Sequence, residues 1–205
     1  MNVGFSGCSY TAGAELIDPI KERYSAIVCD RFQATEHNVA GNNYSNEMVC
    51  KKTWDLTNTV SLDFMVIQIS SFLRFSFVYD DKLVTINPYR KQKYDYDLVS
   101  KIVYSKQSSY DKWYELTRWK ILMLHEYLLS RSINHMFLFM LDIDAKSFEK
   151  DVFVPQTIKQ RAVFDSMMGI TESKDLGFFK GKHPSAIAHK YIAEEVVIPK
   201  MRALL

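Results

Sequence analysis

The chain has 205 residues, a net charge of +2, 47% hydrophobic and 24% charged residues. This suits one folded domain with a real core; it excludes a disordered chain and a global field that would gather nucleic acid or anionic lipid. Only 7 residues are glycine, where about 14 would be ordinary at roughly 7% usage, so collagen-like and glycine-linker readings fall away. The opening residues show no basic n-region and no long apolar h-region, so no signal peptide is expected. The longest apolar run, near Met136 to Leu141, is too short to span a membrane. Cys8, Cys29 and Cys50 are odd in number and widely spaced, which argues against a disulfide framework or zinc site and suits a reducing compartment.

Asn2 to Gly7 reads as a strand entering a glycine turn. Pro19 to Phe32 carries Ile20, Tyr24, Ile27, Val28 and Phe32 at helical spacing. Thr35 to Ala40 reads as a second strand, and Ser45 as the N-cap of a helix running to about Leu56. Leu62 to Ile69 is a continuous apolar strand, of the kind buried on both faces. Residues 75–107 are rich in Tyr, Lys and Asp with weak periodicity, and read as an irregular insertion holding a short helix near Leu98 to Tyr104. An amphipathic helix is predicted over Ser109 to Arg131, with Trp113, Leu116, Ile121, Leu124 and Leu128 on its apolar side. His135 to Leu141 is another buried strand, Phe164 to Met168 is helical, and Ser185 to Leu204 is a final helix with an interruption at Pro199. Alternating strands and helices predict an α/β layer fold with a mostly parallel sheet.

Three segments carry the chemistry. Gly7-Cys8-Ser9-Tyr10-Thr11-Ala12-Gly13 follows the first strand and places Ser9 at the carboxyl edge of the sheet, where such sheets bind ligands. There Ser9 is a candidate nucleophile; a phosphate-binding turn and a plain strand–helix junction are the other readings. No Gly-Lys-Ser/Thr follows, so the segment is not a P-loop. Lys180-Gly181-Lys182-His183-Pro184-Ser185 presents His183 ahead of a helix, as a general base or as a surface or capping histidine. His189, inside that helix, reads as structural, and no third ligand at suitable spacing makes a metal site. The loop Gly41-Asn42-Asn43 favours positive φ, which can turn a backbone N–H outward.

In this order and at these distances, the segments resemble the SGNH/GDSL hydrolase family. Gly7 to Gly13 resembles its nucleophile block, with Cys8 where Asp usually stands; Asn38-Val39-Ala40 with Ser45-Asn46 resembles the second block; and His183-Pro184-Ser185 with His189 and Ile192-Ala193-Glu194 resembles the last. The Gly-Cys-Ser form, with Ile67-Gln68-Ile69-Ser70-Ser71 and Arg74, is similar to a divergent branch common in bacteriophages. The resemblance spans residues 2–74 and 164–198. It implies a three-layer α/β/α sandwich with a flavodoxin-like sheet, Ser9 as nucleophile, His183 as its base, and hydrolysis of a carboxylic ester, often a sugar O-acetyl group, through an acyl-enzyme without a cofactor.

Three positions depart from the family pattern. The oxyanion Gly falls on Asn43, whose N–H serves if the residue is left-handed. The oxyanion Asn is absent, leaving Ser70, Ser71 or Arg74 as donors. Neither Lys180 nor Gly181 is an acid, so Asp142 and Asp144, on one face of a strand end, are the replacement candidates, with solvent-facing carboxylates as the other reading. These departures, and an aromatic run from Tyr89 to Trp119, motivate a second reading: a non-catalytic SGNH-fold protein, binding a protein partner or a second copy, for example in a phage particle. Acidic neighbours dilute Arg90-Lys91-Gln92-Lys93, which disfavours nucleic acid. The expected location is the cytoplasm, or a virion for a phage product.

Overall fold

The structure is a computed structural model that describes residues 1–79, 82–87 and 109–205. Its centre is set by apolar runs. The strands β1 (Asn2–Ser6), β3 (Phe64–Ile69) and β6 (Asn134–Phe139) are buried along almost their whole length, as strands sandwiched between helical layers must be. With β2 (Thr35–Asn38) and β7 (Ala162–Val163) they form a five-stranded parallel sheet, ordered β2-β1-β3-β6-β7. Alternate residues feed two cores. Val3, Phe5, Phe64, Val66, Met136 and Leu138 point to one side; Met65, Ile67, Ile69, Phe137 and Phe139 point to the other. The strand order reverses between β1 and β3, which opens a crevice at their carboxyl ends.

Two more strands lie apart from this sheet. β4 (Phe75–Tyr79) and β5 (Lys82–Ile86) pair as an antiparallel ribbon, where the sequence reads as irregular. One face of the ribbon is aromatic, with Phe75 packed on Trp113 at 4.8 Å between ring centroids. The other face is a hydroxyl ladder, in which Ser76 Oγ meets Ser45 Oγ at 2.6 Å and Thr85 Oγ1 at 2.7 Å. Burying serine and threonine inward erases the apolar alternation that marks a strand. The helix expected over Leu98 to Tyr104, the tyrosines from Tyr89 to Tyr104 and the Arg90–Lys93 run lie outside the described residues.

The helices follow the sequence with local corrections. A short helix α1 (Ser9–Ala12) leaves β1. The single helix predicted from Pro19 is two, α2 (Pro19–Glu22) and α3 (Tyr24–Phe32), with Arg23 extended between them. Arg23 grips Glu36 through Nε and Nη2 at 3.0 and 2.9 Å, and the Tyr24 N–H is spent on His189 Nδ1 at 3.2 Å instead of a helical carbonyl. α4 (Asn46–Thr59) has the expected Ser45 cap, whose Oγ accepts from the Met48 N–H. In α5 (Ser109–Ser130), Trp113, Ile121, Leu124 and Leu128 are buried, but Leu116 is 41% exposed. β6 stops at Phe139, and the chain enters α6 (Asp142–Lys150), then α7 (Gln156–Lys159) and α8 (Met167–Ser173). The last segment runs through α9 (Ala186–Tyr191), a π-helical stretch (Ile192–Val197) and α10 (Ile198–Leu204). Pro199 does not interrupt it, because the wider turns ahead of the proline absorb its missing N–H and the clash of its ring. Among the described residues no helix is long and apolar enough to cross a membrane.

Two buried histidines carry a pH signature. His135 Nδ1 donates to the Ile133 carbonyl at 3.0 Å, and its Nε2 meets His125 Nδ1 at 2.8 Å. His189 accepts the Tyr24 N–H and stacks on the Tyr24 ring. Burial pushes both down to about 4. The unfolded chain takes up these protons first, near pH 6.5, so their contribution is complete above that pH and is lost as the pH falls toward 4. Histidine NMR titration of the folded protein is expected to find both rings neutral at pH 5.5; protonation near 6.5 would contradict this burial.

Candidate active site

The turn from β1 into α1 is held by one buried amide. Gln68 of β3 accepts the Cys8 N–H at 2.9 Å and the Thr11 hydroxyl at 3.2 Å on Oε1, while its Nε2 donates to the Ile69 carbonyl at 2.7 Å. Gly7 is required here: a Cβ would lie 2.5 Å from Thr11 Oγ1 and 2.8 Å from Gln68. The clamped turn makes Ser9 the first residue of α1. Ser9 is 5% exposed and its Oγ makes no hydrogen bond to a described residue.

His183 arrives from the other end of the chain on a tight loop. The Lys182 N–H donates to the Phe179 carbonyl at 2.9 Å, the Phe179 N–H to the His183 carbonyl at 2.8 Å, and Tyr10 Oη to the Lys182 carbonyl at 2.8 Å. Tyr10 also sets its ring edge-on to the imidazole, 5.7 Å between centroids. Beyond the loop, Ser185 caps α9 through the Ala188 N–H. Ser9 and His183 therefore line one cleft of about 500 Å³, together with Asn43, Arg74, Asn87, Met140, Leu141 and Met168.

The structure sorts the sequence-predicted donors. Asn43 has φ +63°, the left-handed conformation the loop composition calls for, and its Oδ1 accepts from Asn87 Nδ2 at 3.0 Å. Arg74 lines the cleft, its Nη1 donating to Ser70 Oγ at 2.9 Å. Ser70 and Ser71 do not line it: both are buried, and their hydroxyl oxygens accept from Arg74 and from the Leu73 N–H. Arg74 Nε is buried without an acceptor among the described residues.

The acid candidates need correcting. Asp142 and Asp144 are not on a strand end but in the first turn of α6, where the helix dipole favours them. Asp142 Oδ1 accepts from Ser166 Oγ at 2.5 Å. Asp144 is buried, accepting the Phe72 N–H at 3.2 Å and the Tyr110 hydroxyl at 3.0 Å. Neither meets His183. The carboxylate that does is Glu15, with Oε2 at 2.6 Å from Nδ1. Sequence reading passes over Glu15, and over Asn87 and Tyr10; for Glu15 the available signal is an acidic residue just past the Gly7-to-Gly13 segment. His189 is structural, as its place in the helix suggests.

The five-stranded parallel sheet between helical layers is a three-layer α/β/α fold of the SGNH/GDSL type. No protein-family model matches the sequence, and no curated protein matches it. Solved structures do match. TesA superposes over the whole of both chains with a TM-score of 0.67 at 11% identity. A member of the lipolytic protein G-D-S-L family from Veillonella parvula DSM 2008 gives 0.50 at 15% identity, over 96% of this chain and 97% of that one. A two-domain esterase active on acetylated mannans gives 0.53 at 13% identity, over all of this chain and 49% of that one. At these identities the likeness establishes the fold, and the chemistry must be argued from the cleft.

Asp144, buried against Phe72 and Tyr110, gives a test of its own. Burial pushes its carboxyl up to about 7, against the pull of the Phe72 and Tyr110 hydrogen bonds and the Arg74 charge. Between pH 4 and 7 the native state then holds a proton the unfolded chain has released, so this residue's contribution to stability falls as the pH rises through that window. Asp144→Asn keeps an acceptor and removes the ionisation. Urea midpoints at pH 5 and 8 are expected to show the variant gaining on the wild type at the higher pH; an equal difference at both would contradict the shift.

Proposed function

We propose that this chain is a serine hydrolase that cleaves carboxylic esters through an acyl-enzyme, with O-acyl groups on a glycan or small molecule as the substrate class. The observation that carries the reading is the shared cleft of Ser9 and His183, with the left-handed Asn43 and the Arg74 guanidinium on its wall. Ser9 Oγ attacks the ester carbonyl as its proton passes to His183 Nε2. The tetrahedral oxyanion is met by the Ser9 and Asn43 N–H groups and by Arg74, donors fixed before charge develops. Collapse expels the alcohol, which takes the proton back from His183, and water then releases the acid by the same steps in reverse order. Met140, Leu141 and Met168 make an apolar wall suited to a short acyl chain. The mannan-active neighbour adds fold-level analogy for a glycan.

One observation favours the second reading, a non-catalytic SGNH-fold binding or structural protein. Arg74 stands in for the missing oxyanion Asn, and part of its guanidinium is tied to Ser70 and the Tyr44 carbonyl. A fluorophosphonate probe and p-nitrophenyl acetate decide between the two. Labelling and turnover are expected in the wild type, both reduced to background in Ser9→Ala, with kcat lower by about 10²–10³ in Arg74→Ala. Folded wild-type protein that is neither labelled nor active would favour the binding protein.

A further inference from the structure

We propose that Glu15, six residues after Ser9 in the turn that follows the helix Ser9 begins, is the positioning acid of this site; the inference rests on the hydrolase reading above. The contact is built from both sides. His183 Nδ1 lies 2.6 Å from Glu15 Oε2, and the Gly181 N–H points at the same carboxylate, 3.2 and 3.1 Å from its two oxygens. The His183 contact and the Gly181 hydrogen bond hold the Glu15 carboxyl below its ordinary value. An ionised carboxylate only accepts, so the Nδ1 it faces carries the hydrogen, and the lone pair falls on Nε2. That is the nitrogen a serine hydroxyl needs for its proton. When Nε2 takes that proton, the imidazolium is paired with Glu15, and no proton moves to the carboxylate.

Two backbone features favour this arrangement over a chance surface contact. Glu15 has φ +69°, a left-handed conformation that costs a side-chain-bearing residue energy and persists where the surroundings demand it. Gly181 leaves the space the carboxylate fills: a Cβ there would lie 2.5 and 2.8 Å from its oxygens. Lys180, three residues before His183, is exposed, and Asp142 and Asp144 are committed to Ser166, Phe72 and Tyr110. Among the described residues, Glu15 is the acid that touches the imidazole.

The test uses the full chain and two readouts. Glu15→Gln and Glu15→Ala are expected to slow fluorophosphonate labelling of Ser9 by roughly 10²–10⁴-fold, the upper figure being the loss when a serine-protease histidine adopts the wrong tautomer. Glu15→Asp should recover part of the rate, and Gly181→Ala, by displacing the carboxylate, should slow it. Nitrogen NMR of His183 is expected to show Nδ1 protonated and Nε2 bare in the wild type, and a mixture of tautomers in Glu15→Ala. Melting temperatures should stay close to wild type, since the Glu15 side chain is 36% exposed. A wild type that labels normally beside Gln and Ala variants of equal rate would overturn the role of Glu15 and leave the hydrolase reading standing. An Nε2-protonated wild-type ring would also overturn it. A folded wild type that does not label overturns the hydrolase reading itself, and the catalytic use of Glu15 with it.

Discussion

The Gln68 carboxamide is the contact on which the site depends. Parallel pairing sets Ser6 of β1 against Ile67 of β3, so the next residue of β3 stands beside the turn that leaves β1. A single buried amide oxygen then accepts from both Cys8 and Thr11. An apolar residue at position 68 would leave the Cys8 N–H buried and unpaired, at a typical cost of about 1–3 kcal/mol. The sheet thus does more than support the cleft. Its register selects which backbone group is bonded, and the bonded turn decides where Ser9 stands.

The rest of the cleft is assembled from parts distant in sequence. β2 leads to Asn43, β3 to Arg74, the ribbon to Asn87, and the far end of the chain to His183. Tyr10 and Glu15 draw that last loop onto the first. Deeper in the same layer His189 performs a similar joining, accepting the Tyr24 N–H where α2 and α3 break. The C-terminal segment is therefore bonded to the N-terminal one at two points, one facing the cleft and one inside the core.

What the sequence makes legible is what depends on short-range pattern. Apolar runs give β3 and β6, a strand followed by a glycine turn places Ser9, and the Ser45 cap gives the start of α4. Asn43 is legible because few residues besides glycine tolerate its φ. The rest fails for identifiable reasons. The ribbon is hidden because Ser76 and Thr85 turn hydroxyls inward. Asp142 and Asp144 mislead because apolar residues continue through Leu141, past the end of β6 at Phe139. Glu15 meets a residue 168 positions away, from a backbone conformation with no spacing signature, so no local rule points to it.

The two ends of the cleft are fastened by different kinds of chemistry. At the Ser9 end the fasteners are an amide and two hydroxyls, Gln68, Thr11 and Tyr24, and burial pushes the Tyr24 phenol further from ionisation. At the His183 end the fasteners are a phenol on a carbonyl, Tyr10 to Lys182, and a carboxylate on an imidazole, Glu15 to His183. A carboxylate is the one fastener among these that acid neutralises, so protons reach the cleft through Glu15, while the amide and hydroxyl contacts on the Ser9 side carry no group that ionises in acid.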